Sequence, residues 1–364
     1  MNLTLPKIRV ATGLYSHWDS VIKVNEEILK WIKNSKKTRP SQMKLKSMDE
    51  VIYTLNDTIK KGGKEFLISK KVYNELTSIF PKREMRIGGN GNNMGRTLFF
   101  LGLNPLVSYP IRPKNLMEAS PNFRVACKNK FTIPKKAIRK DPEYEHIIFE
   151  FKNDRHIFSW DPVSRKGIFD YDFLRFACNS KFTDVLILAY AHLLLPKYKK
   201  RTDIIIEKLK EKRPKVHLEF GTGCEDSMRY AMKKFSEYDC CDSFGLDEKE
   251  CKIYFKSKSE NKEDLIESSL NAIKEYKLKR ICVHTSRFAF SISKYGIEKE
   301  VNALTSACFI ASANTGIKSI VRSFKKKIGK YNLCLVKTKL NPSPKILTGL
   351  GDSFTAVQAV KSLF

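Results

Sequence analysis

The chain has 364 residues and a formal net charge of +29, from 68 Lys and Arg against 39 Asp and Glu. This length accommodates a large domain with a smaller one, and 42% hydrophobic residues suffice for a buried core. No apolar run approaches the roughly 18 residues of a membrane span, and residues 1–13 lack a signal peptide's apolar centre, so a cytoplasmic location is expected. The 9 cysteines include no CxxC pair, which favours reduced, buried thiols over a zinc site.

The excess of positive charge favours anions as partners. A field of this sign attracts nucleotides, phosphorylated sugars and RNA. The basic residues cluster at 33–46, 135–140, 197–215 and 325–330. These clusters lie far apart, and aromatic residues do not alternate with them as a single-strand binding surface requires. Nucleic-acid binding is therefore an alternative that is not favoured, and a lysine-rich composition adapted to heat explains the charge equally well.

Hydrophobic periodicity predicts an alternation of strands and helices. Before residue 104 the predicted strands are 7–14 and 64–69, and the predicted helices are 22–33 and 94–103. From 104 to 184, short alternating pieces such as 146–151 and 156–160 indicate a β-rich insertion. Beyond it, the predicted strands are 185–191, 216–220, 280–284 and 332–338. The predicted helices there are 201–212, 262–276, 300–314 with Gly316 as its stop, and 355–363. Such alternation predicts a mostly parallel sheet covered on both faces.

The C-terminal motif TGLGDSF at 348–354 precedes the last predicted helix. Gly349 and Gly351 permit a tight turn that points the N–H groups of Leu350, Gly351 and Asp352 at one spot, which makes an anion cradle. Asp352 stands beside that cradle as a potential base. The simpler alternative is that Asp352 only caps the helix.

Four further motifs follow the same order along the chain: RIGGNGNN at 86–93, HLEFGT at 217–222, SFGLDEKE at 243–250 and VHTS at 283–286. They fall at or just after predicted strand ends, where ligands bind in parallel sheets. With the C-terminal GLGD, this series resembles the ADP-dependent sugar kinases of archaea. That family is the glucokinase and phosphofructokinase branch of the ribokinase-like superfamily.

The resemblance implies an α/β fold with a ribokinase-like three-layer core, a mostly parallel sheet and a smaller β-rich lid domain. The nucleotide-binding core is expected over 1–20, 46–104 and 183–364, and the lid or substrate domain over 21–45 and 105–182. The implied activity is transfer of a phosphoryl group, from ADP, to a hydroxyl of a sugar or sugar phosphate. A monomer or small homo-oligomer is expected.

For catalysis, the resemblance implies that Asp352 is the general base and that the backbone of 349–352 forms the anion hole. Asp247 and Glu250 occupy the family's Asn-x-x-Glu motif, which organises Mg²⁺ and the donor phosphates, with Asp in place of the family's Asn. Oxygen ligands suit that hard ion. Glu219 is a second candidate carboxylate for the metal, or a buried structural residue.

For the acceptor, the resemblance assigns Asp19, with His17 standing where the family usually has Asn. Gly88 and Gly89 are expected to let the backbone approach the substrate. The loop then departs from the family's Gly-Gly-Gln-Ala-Gly pattern, and its candidate hydrogen-bonding side chains are Asn90, Asn92 and Asn93.

For the phosphates, His284 and Thr285 match a His-Thr pair near the family's nucleotide pocket, and Arg155 matches an arginine that reaches phosphate from the lid. Arg112 and Lys114 are candidate lid cations for a phosphorylated acceptor. Two alternatives stay open: an ATP-dependent sugar or nucleoside kinase of the same superfamily, and a nucleic-acid-binding protein on a kinase scaffold.

Overall fold

The computed structural model describes residues 4–42, 44–152, 154–161, 163, 166–190, 198–221, 225–315, 322–338 and 349–364. Thr348 of the C-terminal motif, Ala191 at a predicted strand end and the predicted helix stop Gly316 lie outside these ranges. Within them, no helix is both long and apolar enough to cross a membrane.

The described strands are, in chain order, β1 (Val10–Gly13), β2 (His17–Lys23), β3 (Lys44–Leu45), β4 (Glu65–Ile68), β5 (Glu84–Gly88), β6 (Leu106–Val107), β7 (Val125–Cys127), β8 (Lys130–Thr132), β9 (Glu145–Glu150), β10 (Arg155–Ser159), β11 (Val185–Tyr190), β12 (Lys215–Phe220), β13 (Ser243–Asp247), β14 (Arg280–His284), β15 (Phe288–Ser293), β16 (Arg322–Ile328) and β17 (Tyr331–Lys337).

The described helices are α1 (Glu26–Asn34), α2 (Met48–Lys61), α3 (Lys70–Ile79), α4 (Asn90–Phe100), α5 (Lys114–Ala119), α6 (Tyr171–Ala177), α7 (Tyr198–Leu209), α8 (Glu225–Glu237), α9 (Glu248–Tyr254), α10 (Lys262–Glu275), α11 (Ile297–Asn314) and α12 (Leu350–Leu363), with a 3₁₀ turn at Pro134–Lys136.

The described strands form a large sheet, a smaller sheet and a hairpin. The large sheet runs β16-β17-β15-β14-β13-β12-β11-β1-β6. Its strands from β14 to β6 are parallel, and β15, β17 and β16 join in antiparallel pairs. The smaller sheet runs β3-β4-β10-β9-β2-β5. This confirms the predicted α/β class with a mostly parallel main sheet and a smaller β-rich unit.

Strand β11 shows why the large sheet is covered on both faces. Successive side chains of a strand point to opposite faces. Leu186 and Leu188 belong to the apolar cluster that contains residues of α6 to α10, whereas Val185 and Ile187 belong to the cluster of α4, α11 and α12. Both faces of the strand are apolar, so both must be buried. The predicted three-layer core is therefore confirmed.

The smaller sheet is covered by helices on one face. Ile32, Leu55 and Val72 of α1, α2 and α3 pack against Phe149 and Phe158 of β9 and β10. Ile22 of β2 belongs to the same apolar cluster. On β2 and β9, the side chains of the residues in between point to the opposite face of the sheet. The opposite face of this sheet is therefore available to form a wall of a cleft.

The predicted helix over 22–33 begins too early. Residues 17–23 are strand β2, and Ile22 packs in the core of the smaller sheet. The helix begins at Glu26 because Asn25 caps it, its side chain accepting the N–H of Ile28. Apolar residues at 21 and 22 fit the spacing of a helix as well as that of a strand. The sequence therefore predicted a helix where the structure has a strand.

Sheet membership also differs from that implied by the predicted domain boundaries. Strands β4 and β5 lie within 46–104, which was assigned to the core, yet they belong to the smaller sheet; β6 lies within 105–182 and belongs to the larger one. Partners distant in sequence decide this: β4 pairs with β10, β5 with β2, and β6 with β1. Strands this short carry no local signal of the partner they join.

A fully buried ion pair joins the large sheet to α11. The Arg280 Nε lies 3.1 and 2.9 Å from the two carboxylate oxygens of Glu300. Both side chains have no exposed surface, and the Ser362 hydroxyl also donates to Glu300. The pair therefore ties β14, α11 and the C-terminal helix α12 together.

We predict that Glu300→Leu lowers the free energy of unfolding by about 3–5 kcal/mol, because it leaves the buried Arg280 charge without its counter-charge. Urea denaturation measures this. The double variant Arg280→Met with Glu300→Leu is the control, and it should recover most of the loss because no buried charge remains. A single variant as stable as the wild type would contradict the prediction.

Candidate active site

A cleft of about 570 Å³ lies between the large sheet and the free face of the smaller sheet. The large sheet contributes the carboxyl ends of its parallel strands, including Ala189, Phe220, Asp247 and His284. This is the edge at which parallel sheets bind ligands. Several predicted site residues line the cleft together: His17, Asp19, Gly89, Asn90, Arg155, Glu219, Asp247, Glu250, His284, Gly349, Gly351 and Asp352.

Asp352 is held by two amides of α4. Its Oδ1 accepts a hydrogen bond from Asn90 Nδ2 at 2.9 Å, and its Oδ2 accepts one from Asn93 Nδ2 at 2.9 Å. Burial raises the pKa of Asp352, and the two amide donors oppose that rise. The carboxylate is therefore fixed in orientation and aimed at the cleft.

The capping alternative for Asp352 is not what the structure shows. The N-cap of α12 is Gly349, in the left-handed conformation at φ 76°, and this helix has no side-chain cap. A residue other than glycine would be strained there. Asp352 instead lies in the first turn of the helix, so its carboxylate serves the cleft and not the helix end.

Helical spacing decides which asparagines reach Asp352. Helix α4 begins after Gly89, whose φ is 88°. Asn90 and Asn93 are three residues apart and therefore share one face of the helix. Asn92 faces away, and its Nδ2 donates to the Tyr109 hydroxyl at 2.7 Å in the protein interior. The prediction of Asn92 as a substrate ligand is wrong for this reason.

The smaller sheet supplies the opposite wall. Asp19 lies within β2, and His17 Nε2 is 3.1 Å from its Oδ1. Gly88, on β5, does not line the cleft. A Cβ on Gly88 would stand 2.3 Å from the Asp19 carboxylate. The glycine thus makes room for that carboxylate and not for a substrate, which corrects its expected role.

Glu219 lies between two histidines at the base of the cleft. His217 Nε2 is 3.0 Å from its Oε2, and His284 Nε2 is 2.9 Å from its Oε1. A Cβ on Gly245 would stand 1.9 Å from Oε2, so glycine is required beside it. Both oxygens of Glu219 already have partners. Because these partners are imidazoles, which can carry positive charge, and not neutral amides as at Asp352, the geometry favours the structural alternative for Glu219 over the role of metal ligand.

The two histidines differ in charge. Burial raises the pKa of Glu219, but hydrogen bonds from His217 and His284 outweigh it and lower the pKa to about 2. Burial lowers the pKa of His284, but the hydrogen bond and charge of Glu219 raise it to about 9. The pKa of His217 is lowered, with burial as the main cause. His284 is therefore a cation with a half-buried side chain, and its ring lies close to Gly351.

Asp247 and Glu250 form a capping box at the start of α9. Asp247 Oδ1 accepts the Glu250 N–H at 2.8 Å, and Glu250 Oε2 accepts the Asp247 N–H at 2.8 Å. Burial raises the pKa of Glu250 well above its ordinary value, and the charge of Asp247 raises it further. Crowded carboxylates of this kind, which line the cleft, fit a hard divalent cation. These two residues are the better candidates for Mg²⁺.

Four further predicted residues lie outside the cleft. Arg112 is buried, and its guanidinium is 3.0 Å from Asp170 Oδ1, so it cannot meet an acceptor phosphate. Lys114 is exposed at the start of α5. The Thr285 hydroxyl accepts the N–H groups of residues 287 and 288 in a turn. Leu350 does not line the cleft, although its neighbours Gly349 and Gly351 do.

The sequence prediction missed a lysine–glycine loop after α2. Lys61, Gly63 and Lys64 line the cleft opposite the glycine turn of α12. A Cβ on Gly63 would stand 1.5 Å from the carbonyl oxygen of Arg155. Only glycine therefore fits where this loop contacts the first residue of β10. The Gly63 N–H donates to Asp154 Oδ2 at 2.7 Å. The motif KGGK at 61–64 was the available signal.

Two helical layers cover a mostly parallel sheet, and the smaller sheet faces the carboxyl ends of its strands across the cleft. The model of the "ADP-specific Phosphofructokinase/Glucokinase conserved region" matches residues 8–325. The chain belongs to this family, and its class is that of phosphotransferases with an alcohol acceptor. This confirms the resemblance seen in the sequence. No curated protein sequence matches the chain.

Solved structures share this fold. A hypothetical ADP-dependent phosphofructokinase from Pyrococcus horikoshii OT3 has a TM-score of 0.74 at 19% identity, over 99% of this chain and 98% of that one. An ADP-dependent kinase in complex with fructose-6-phosphate and ADPβS has a TM-score of 0.79 at 16% identity, over 99% and 95%. The last common ancestor of ADP-dependent phosphofructokinases from Methanosarcinales has a TM-score of 0.73 at 18% identity, over 99% and 94%.

We predict that Glu219→Gln lowers the pKa of His284 from about 9, because it removes the charge that raises this pKa most, while burial still lowers the pKa and the charges of Asp247 and Glu248 raise it less. Histidine NMR titration measures this. His156 is the internal control, since burial away from Glu219 holds its pKa at about 3. A His284 that still titrates near 9 in the variant would show that Glu219 does not stabilise its charge.

Proposed function

We propose that the protein is a Mg²⁺-dependent kinase that transfers a phosphoryl group from ADP to a hydroxyl of a sugar or sugar phosphate. The observation that carries this proposal is the position of Asp352. Two amides hold its carboxylate beside a glycine turn at a helix N-terminus, in a cleft lined by both sheets. Phosphoryl transfer needs this combination of a base and an anion cradle.

Asp352 is the general base of the proposed reaction. It accepts the proton of the acceptor hydroxyl as that oxygen attacks the terminal phosphorus of the donor. The backbone N–H groups at the start of α12 donate to the transferring phosphoryl oxygens. The His284 cation, whose ring lies close to Gly351, adds positive charge to the same cradle. The products are AMP and a phosphorylated acceptor.

The donor half of the cleft is the part that holds both cations and crowded carboxylates. Asp247 and Glu250 would hold Mg²⁺, which when bound supplies positive charge to the donor phosphates. The side chains of Lys61, Lys64 and Arg155 line the same cleft as these two carboxylates. The similar ADP-dependent kinase was solved with fructose-6-phosphate and ADPβS, and this supports a diphosphate donor and a phosphorylated acceptor here.

The acceptor half lies against His17 and Asp19. Carboxylates orient sugar hydroxyls by accepting their hydrogen bonds. A cytoplasmic location and a monomeric or small homo-oligomeric state remain predictions of the sequence. An ATP donor remains the alternative within the enzyme class, and it is an outcome of the first experiment below.

We predict that the purified protein with Mg²⁺ forms AMP from ADP in the presence of an acceptor. A panel of sugars and sugar phosphates, each with ADP and with ATP, identifies both substrates in one assay. Reactions without acceptor measure the background. ATP turnover that exceeds ADP turnover by roughly tenfold, or about 1.4 kcal/mol in barrier height, would contradict the ADP assignment.

We predict that Arg155→Ala raises the KM for ADP roughly tenfold to a hundredfold, because one charge-assisted contact to phosphate is worth about 1.5–3 kcal/mol. Lys114→Ala is the matched control: it removes a lid cation outside the cleft and should leave the KM unchanged. Steady-state kinetics with a neutral sugar and its phosphate separate donor from acceptor effects. Equal KM values in both variants would show that Arg155 does not contact the donor.

A further inference from the structure

Three side chains in the acceptor half of the cleft form a set of potential metal ligands. His17, Asp19 and His146 each offer one ligand atom, and these atoms lie within 4.8 Å of one another. All three residues are buried and all three line the cleft. They are separate from Asp247 and Glu250, which lie at the carboxyl end of the large sheet.

The backbone of the smaller sheet fixes this arrangement. His17 and Asp19 are two residues apart on β2 and therefore project from the same face. His146, on the adjacent parallel strand β9, is the register partner of Asp19. The ladder hydrogen bonds of two paired strands thus position all three side chains. Ligands on regular strands are held more rigidly than ligands on loops.

The third strand of this group leaves space for the carboxylate. Gly88 of β5 is the register partner of His17. A Cβ at Gly88 would stand 2.3 Å from the carboxylate atoms of Asp19, well inside contact distance. Any larger residue would displace the carboxylate from the two histidines. The sheet is therefore built to keep Asp19 beside both imidazoles.

The chemistry of the set selects the class of ion. The two imidazole rings lie side by side, with centroids 3.8 Å apart, so both can offer a nitrogen to the same ion. Neutral imidazole nitrogens are lone-pair donors that suit zinc and related transition ions, whereas Mg²⁺ takes oxygen ligands. Asp161 Oδ2 lies 4.0 Å from His146 Nε2. This distance is longer than a hydrogen bond, but the carboxylate adds negative charge beside the set, and that favours a cation there.

We propose that His17, Asp19 and His146 bind one divalent transition ion, with Zn²⁺ as the representative probe, in the acceptor half of the cleft. Three protein ligands leave a coordination position open. Since all three residues line the cleft, that position is filled by water or by an oxygen of a molecule in the cleft. This site does not depend on the proposed kinase function, because the free protein can bind the ion without nucleotide.

Titration calorimetry of the full chain with Zn²⁺, without nucleotide, tests the proposal. We expect one ion per chain, retained in excess Mg²⁺ because magnesium disfavours nitrogen ligands. We expect each of the variants His17→Gln, Asp19→Asn and His146→Gln to weaken Zn²⁺ binding by at least about a hundredfold. Loss of a residue that only hydrogen-bonds to a metal ligand already lowers metal affinity about ten- to a hundredfold. Thermal unfolding of each variant without zinc shows which of them remain folded.

Two controls separate this site from other zinc-binding groups. His156→Gln removes a buried histidine outside the set, and Cys127→Ser removes the one described cysteine that is not fully buried. Both should bind Zn²⁺ as the wild type does. Cobalt substitution gives a visible absorption spectrum that the ligand variants should change and the controls should not. Binding that survives in folded ligand variants, or no binding at micromolar zinc, would overturn the proposal.

Discussion

The rest of the site depends on the contact of Asp352 with Asn90 and Asn93. These hydrogen bonds join residues 262 and 259 positions apart, at the first turns of two helices that start from glycine turns. Helix α12 also packs against the large sheet through Val357 and Val360. Packing brings the two helix ends together, and the amides then fix which way the carboxylate points. The proposed base, the glycine turn beside it and this part of the cleft therefore all depend on the same contact.

Three glycines serve the site by the space they leave. Gly88 makes room for Asp19, Gly245 for Glu219, and Gly63 for the backbone of Arg155. In each case a Cβ would overlap an atom that the cleft needs. A methyl group added at any of the three positions is therefore expected to displace the neighbouring atom that lines the cleft.

The sequence predicted the parts of the fold that are set locally. Strands such as Val185–Tyr190 and Arg280–His284 follow from apolar runs between helices, and the cleft follows from polar residues at their carboxyl ends. It could not predict which sheet β4 and β5 join, because long-range pairing decides that. It also misplaced Arg112 and Asn92. A charged or amide side chain looks the same in a sequence whether it meets a ligand or a buried partner such as Asp170.

The most direct test of the account is the kcat of Asp352→Asn, measured with the acceptor that the substrate panel identifies. The amide removes the proton acceptor, while Gly349 still begins the helix, so the fold should be kept. The account predicts a loss of about a hundredfold or more, as expected for a missing general base. A folded variant with a kcat close to that of the wild type would contradict it.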